Sequence, residues 1–148
     1  MKYLLPFLLI GLLAFSEPPT SGIFIVKKPI KRDRCEQELK MLIGTKRVCI
    51  LKKPLLQLDE LEYVTEILYD PVAKHHHIDL GLSSSSINKL NQTTNFLPDA
   101  QFALVVDNMV VCTFSIQEKI ATRYLRLGTD LDTRSLAIVQ NTLSQVQY

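Results

Sequence analysis

Apolar and polar positions along the chain follow two periods, which predicts both strands and helices. Segments that are rich in β-branched and aromatic residues, or that alternate polar with apolar residues, predict strands at 22–28, 46–53, 63–69, 74–82, 101–106, 109–114 and 123–128. Segments with apolar residues at helical spacing predict helices at 33–44, 83–97 and 130–146. Together these elements predict an α+β fold, with a mostly antiparallel sheet and helices packed on one of its faces.

The ends of the predicted helices carry residues that commonly begin or end a helix. Asp33 can cap the first helix and Gly44 can end it, while the run Ser83–Ser86 can cap the second. Asp130 or Asp132 can cap the last helix. That helix has one apolar stripe, which consists of Leu136, Val139, Leu143 and Val146.

The stretch FALVVDNMVV, residues 102–111, predicts a hairpin of two apolar strands. Asp107 and Asn108 can both adopt the positive φ that a two-residue hairpin turn requires. We therefore interpret Asp107 as an architectural residue and not a catalytic one. Val105 and Val111 are predicted to face the helices.

The N-terminus has the three-part layout of a secretory signal. Lys2 supplies a positive charge, residues 3–15 are mainly apolar, and the small residues Ala14 and Ser16 precede a cleavage point. The alternative is an uncleaved membrane anchor, but a bilayer requires about 20 apolar residues. We therefore expect an exported protein, in the periplasm or at the cell exterior, without stable membrane insertion after cleavage. The predicted organisation is a signal peptide, a linker and a single domain at 1–16, 17–22 and 23–148.

Export would place the three cysteines in an oxidising compartment. Cys35 and Cys49 flank the first predicted helix and its turn, and they could form a disulfide if the next strand packs on that helix. Three free thiols are the alternative, because pairing cannot be deduced from a sequence. Cys112 lies in an apolar run and is predicted to be a small core residue.

The triple histidine at 75–77 is the one cluster with potential to bind a metal. On a strand, His75, His77 and Asp79 would project from the same face, about 6.5–7 Å apart along it. Two histidines and a carboxylate suit Zn²⁺ or Cu²⁺. Side chains on a flat strand diverge, however, and no fourth ligand is indicated. We therefore expect a solvent-facing polar edge, and no metal or other cofactor.

Composition and motifs exclude several other functions. The net charge of +2 is too balanced for electrostatic binding of nucleic acid, and the basic cluster at 27–34 is interrupted by Pro29 and Asp33. The sequence has no nucleophile elbow, phosphate-binding loop or dinucleotide fingerprint. Cys112 has no histidine near it in the sequence, which argues against an activated thiolate. We therefore expect the protein not to be an enzyme.

The order of features across 58–143 resembles the periplasmic head region of the SecD/SecDF family. A strand and a polar-apolar strand precede a helix that contains LNQTTN (90–95). They are followed by the apolar strand ALVVD (103–107), a turn, a second strand, IQEKI (116–120), and Gly128 before the last helix.

The sequence departs from the family's pattern at several positions. Asn108 stands where the family usually has glycine, and Phe114 and Ser115 stand where proline and a β-branched residue are usual. ATR, at 121–123, replaces a glycine-rich turn, and nothing in the sequence resembles the family's membrane-spanning part.

The resemblance implies a free-standing, exported α+β domain that binds other proteins without catalysis. Its expected partner is an envelope protein or a translocating polypeptide, held as an extended segment against a sheet edge. The alternative is an exported Zn²⁺- or Cu²⁺-binding protein that uses the strand from His75 to Asp79.

Overall fold

The computed structural model describes residues 20–28, 34–129 and 131–146. Nine strands and two α-helices lie in these ranges, and the α+β class predicted from the sequence is confirmed. The elements are β1 (Gly22–Ile25), β2 (Gln37–Met41), β3 (Arg47–Ile50), β4 (Leu61–Val64), β5 (Leu68–Asp70), β6 (His75–Leu82), α1 (Ser84–Phe96), β7 (Gln101–Val106), β8 (Met109–Ser115), β9 (Tyr124–Leu127) and α2 (Thr133–Val146). A 3-10 turn at Leu58–Glu60 leads into β4.

Five strands form the first sheet, in the order β1-β7-β8-β2-β3. The pairing of β2 with β8 is parallel, and the other pairings are antiparallel. This sheet closes on itself, because Val26 at the end of β1 bridges Ile50 at the end of β3. The Lys27 N–H donates to the Cys49 carbonyl at 2.8 Å beside that bridge. Closure satisfies backbone groups that a free edge would leave exposed.

The closed sheet has a small hydrophobic core of its own in its interior. Its buried members come from all five strands and are Phe24, Leu39, Val48, Ile50, Ala103, Val105 and Val110. The prediction that Val105 faces the helices is therefore wrong, whereas Val111 does lie in the core that the helices share. The pairing register shifts after Leu104, so that Val105 lies opposite Val110 and β8 has an extra residue. Alternation of polar and apolar residues could not show which side chains of β7 and β8 face the helices, because both faces of these strands are buried.

The second sheet is built around β6, which pairs antiparallel with β4, β5 and β9. Leu80 and Gly81 pair with both β4 and β9, so these two strands lie on opposite sides of β6. Ile78, Leu80 and Leu82 point into the main core, which they share with β7, β8 and the apolar faces of α1 and α2. Helix α2 packs against β4, β6 and β8, and thereby joins the two sheets.

The prediction of a helix at 33–44 is wrong. Gln37–Met41 is strand β2, which forms an antiparallel hairpin with β3 and also pairs with β8. Gly44 lies in the hairpin turn with a φ of 86°, and Asp33 falls outside the described residues. Leu39 is buried but Leu42 is 39% exposed, so the apparent helical stripe does not form one packed face. Tertiary strand pairing has overridden a short local pattern.

Other predicted elements agree with the structure. Ser83 caps α1, because its side chain accepts a hydrogen bond from the Ser86 N–H at 3.1 Å. Asp132 accepts from the Ser135 N–H at 2.6 Å at the start of α2, while Asp130 lies outside the described residues. One element differs: in place of the single strand predicted at 63–69, the structure has two strands, β4 and β5. The predicted signal peptide and the linker up to residue 19 also lie outside the described residues.

Candidate functional site

Two polar side chains of β6, those of His77 and Asp79, are buried, although the sequence predicts a solvent-facing edge there. His77 is 4% exposed and Asp79 is 6% exposed. The register places Arg126 of β9 opposite Asp79, and its guanidinium binds both carboxylate oxygens, with Nε to Oδ1 at 2.9 Å and Nη2 to Oδ2 at 3.1 Å. The expected solvent-facing polar edge is therefore wrong, because a cation from the neighbouring strand lies against the carboxylate.

The contacts around Arg126 shift the pKa of both Arg126 and His77. The hydrogen bond to Asp79 raises the pKa of Arg126, and Arg126 Nη1 also lies 3.8 Å from Asp70 Oδ2. Burial lowers the pKa of His77, and the nearby positive charge of Arg126 lowers it further. The Nδ1 atom of His77 is buried without a hydrogen-bond partner. The neutral imidazole is therefore the favoured form near neutral pH.

The structure does not bring the metal-ligand candidates together. The rings of His75 and His77 are 6.0 Å apart between centroids, and His77 Nε2 is 3.9 Å from Asp79 Oδ2. Both oxygens of Asp79 are engaged by Arg126. Within residues 20–28, 34–129 and 131–146, no group of three or more His, Cys, Asp or Glu side chains is placed to hold a metal ion.

The disulfide predicted between Cys35 and Cys49 is confirmed, with a Cα–Cα distance of 5.6 Å. Its structural setting differs from the prediction, because it links the segment before β2 to β3 within a hairpin. Cys112 is buried and free, as predicted. Burial raises its pKa to about 12, so that its thiol stays protonated and unreactive at neutral pH.

A groove of about 1040 Å³ lies beside β4 and is the main candidate for a functional site. One wall is β4 itself, and the opposite wall is formed by the start of β1 and the segment that precedes the 3-10 turn. The C-terminal end of α2 closes the groove. The residues that line it are Thr20, Ser21, Phe24, Lys52, Pro54, Gln57, Leu58, Asp59, Leu61, Glu62, Tyr63, Val64, Leu143 and Val146.

One edge of β4 pairs with β6, and its other edge has no strand partner within the described ranges. Leu61 and Leu143 in the groove belong to the main core, and Val64 packs against that core. Tyr63 and Val146 are each 43% exposed, so both leave apolar surface uncovered beside the strand edge. An unpaired strand edge thus lies next to uncovered apolar surface.

The hairpin turn at Asp107 and Asn108 positions the opposite wall. Both residues have positive φ, 48° and 65°, which confirms the predicted two-residue turn. The Asp107 N–H donates to Ser21 Oγ at 3.0 Å, and Asn108 makes two hydrogen bonds to the backbone of Thr20. The turn therefore holds Thr20 and Ser21 in the wall of the groove.

The groove is suited to binding. Lys52, Asp59 and Glu62 give it charges of both signs, and its remaining lining residues are apolar or carry hydroxyl or amide groups. Its lining includes no histidine or cysteine that could activate or act as a nucleophile.

Local sequence patterns do not reveal this groove. The segment LEYV has the pattern of an ordinary strand, and its position at a sheet edge depends on long-range pairing that no local pattern reports.

Neither α-helix in the described part of the chain has the length and apolarity needed to cross a bilayer.

Comparison with known proteins gives matches among solved structures alone. No protein-family model matches the chain, and no curated protein matches it. A crystal structure of SecDF in the super-membrane-facing form is 16% identical, with a TM-score of 0.48; the match covers 64% of this chain and 12% of that chain. A structure of SecDF, described as a membrane component that enhances protein export, is 16% identical, with a TM-score of 0.47; the match covers 64% of this chain and 42% of that one. Both are structures of the family whose periplasmic head region the sequence resembles.

Proposed function

We propose that this protein is an exported, non-catalytic binding module that holds an extended segment of another polypeptide along the free edge of β4. The observation that carries the proposal is the unpaired edge of β4 within a groove that has an apolar floor. The partner is an envelope protein or a translocating polypeptide.

An extended polypeptide fits this groove in two ways. It can pair its backbone with the free edge of β4, and such strand addition supplies affinity without requiring a particular sequence. Its side chains point alternately to the two faces of the sheet. One set would cover the exposed apolar surface of Val146, and the other set would lie beside Tyr63. Because the groove has no strong net charge, apolar segments of varied sequence can enter it.

Two further features support the exported location. The disulfide between Cys35 and Cys49 is of a kind that persists in oxidising compartments and is rare in the cytosol. The N-terminal sequence has the layout of a secretory signal.

A matched pair of valine substitutions tests this function. Val146 lies in the groove, whereas Val72 is 90% exposed in the turn between β5 and β6 and does not line it. The probe is fluorescently labelled lactalbumin that has been reduced and carboxymethylated, so that it cannot refold. We expect the wild-type protein to bind it, V146E to bind about tenfold more weakly through loss of apolar contact, and V72E to bind as the wild type does.

The proposal is rejected if the wild-type protein fails to bind the unfolded probe. It is also rejected if both variants lose affinity equally, since binding would then reflect general surface hydrophobicity. Circular dichroism and thermal melts confirm that each variant is folded before its affinity is compared.

A further inference from the structure

Tyr63 and Gly81 lie directly opposite each other in the pairing of β4 with β6. A Cβ atom built on Gly81 would lie 2.2 Å from both Cδ1 and Cε1 of Tyr63, far inside any permitted contact. The tyrosine ring therefore lies flat on the backbone of the central strand. It points from β4 towards β6, and so away from the free edge of β4.

The ring of Tyr63 is the feature that explains a glycine at position 81. The backbone φ of Gly81 is outside the positive region that favours glycine, and all three nearest neighbours of its hypothetical Cβ belong to Tyr63. Glycine inside a strand is otherwise unfavourable, because it loses more conformational freedom on folding than other residues. Glycine at position 81 thus lowers the stability of β6, and it does so at the place where the exposed, groove-lining ring of Tyr63 lies.

We propose that Gly81 is a positioning residue for the binding site, which keeps the edge of β4 open by giving the Tyr63 ring a place to lie. This inference rests on the proposed function. Side chains occupy a few staggered rotamers, so a ring displaced from Gly81 must move to another one. A ring that no longer lies across β6 can turn over the free edge of β4, where an added strand would run about 4.8 Å from β4.

Three variants separate this role from a purely structural one. G81A displaces the ring, Y63A removes it, and the double variant Y63A/G81A has a Cβ at position 81 with no ring to displace. With the same unfolded lactalbumin probe, we expect G81A to bind about tenfold more weakly than the wild type. Y63A also removes a side chain that lines the groove, so the double variant is compared with Y63A and should bind within about twofold of it. The decisive result is that G81A weakens binding only when Tyr63 is present, because a merely destabilised strand would weaken binding by the same factor in both backgrounds.

A measurement on the wild-type protein covers the case in which G81A does not fold. In NMR spectra, nuclear Overhauser contacts between the Tyr63 ring and the Gly81 Hα protons should persist when the probe is bound. Loss of these contacts on binding would overturn the inference, because the occupied site would then require the ring elsewhere.

The outcomes also distinguish the two proposals. If the wild-type protein binds the probe and V146E weakens binding, but G81A binds like the wild type, the role of Gly81 is rejected and the proposed function stands. The role of Gly81 is likewise rejected if G81A weakens binding by the same factor in Y63A as in the wild-type protein. If the wild-type protein does not bind the probe, both proposals fail.

Discussion

Asn108 and Thr20 are joined by two reciprocal hydrogen bonds. The Thr20 N–H donates to Asn108 Oδ1 at 2.7 Å, and the Asn108 N–H donates to the Thr20 carbonyl at 2.9 Å. Asparagine tolerates the positive φ of 65° that this turn position requires, and its side chain also supplies an acceptor that glycine lacks. This explains why asparagine can replace the glycine usual in the resembled family: the turn also anchors the wall of the groove.

Replacing Asn108 with glycine should loosen Thr20 more than it weakens the fold. Glycine keeps the turn without steric cost, while the loss of one hydrogen bond costs about 0.5–1.5 kcal/mol. We expect the free energy of unfolding to change by less than about 1 kcal/mol, and the Thr20 amide to exchange with solvent at least about fivefold faster. Hydrogen exchange followed by NMR measures the second effect. N108D retains an oxygen acceptor and is the control; equal exchange rates at Thr20 in N108G and the wild type would contradict the anchoring role.

The buried His77 should make stability depend on pH in a defined window. Burial, followed by the charge of Arg126, lowers its pKa in the folded protein below the ordinary value of 6.5. The unfolded chain therefore binds more protons than the folded chain between these two values, and stability rises with pH there. The contribution is fully present above about pH 6.5 and is lost as pH falls below it. Urea unfolding at several values from pH 7.5 to 5 measures this slope.

H77Q has no titratable imidazole and should lose the part of the slope just below pH 6.5 that His77 contributes. The carboxylates whose pKa is lowered, such as those of Asp70 and Asp132, act at more acidic pH, because their ordinary pKa values are near 3.8. If the slopes of H77Q and the wild-type protein are the same in this window, His77 is not buried as a neutral group.

The pairing of Asp79 with Arg126 should be a net stabilising interaction that truncation of either partner reveals. Charge-assisted hydrogen bonds contribute about 1.5–3 kcal/mol, and the partial exposure of Arg126 moderates this value. We expect R126A to lower the free energy of unfolding by about 2 kcal/mol, since it leaves the buried carboxylate without its cation. In a double-mutant cycle with D79A, the coupling energy should be about 1 kcal/mol. A coupling energy near zero would show that the two side chains act independently.

The part of the fold from β6 to α2 could be predicted from sequence because local signals agree there. Ser83 caps α1, Asp107 and Asn108 form the turn, and Asp132 caps α2, each through a short-range hydrogen-bonding preference. The segment from 33 to 44 misled because Leu39, which has apolar neighbours at helical spacing, lies on β2, whose partner β8 is about 70 residues away in the chain. Sheet closure and the buried state of His77 also depend on distant strands, and so does the free edge of β4. These are the features that define the candidate sites.

Removing the disulfide should destabilise the closed sheet without removing the fold. Cys35 and Cys49 are separated by 14 positions, and closing a loop of about 15 residues contributes roughly 3 kcal/mol in the chain-entropy description. Cys49 also lies beside the bridge between Val26 and Ile50, where its carbonyl accepts the Lys27 N–H. The cross-link thus holds β3 where the sheet closes. The double variant C35S/C49S should therefore lower the free energy of unfolding by about 2–3 kcal/mol, as measured by urea denaturation.

The effect should also be local. In native-state hydrogen exchange of C35S/C49S, the Lys27 and Leu51 amides, which hydrogen-bond across the closure, should lose more protection than amides of β6 and β9 in the second sheet. Reduction of the wild-type protein with dithiothreitol should reproduce the pattern, and C112S is the control, because Cys112 forms no disulfide. Uniform loss of protection across both sheets would mean that the disulfide stabilises the whole domain and does not specifically hold the closure.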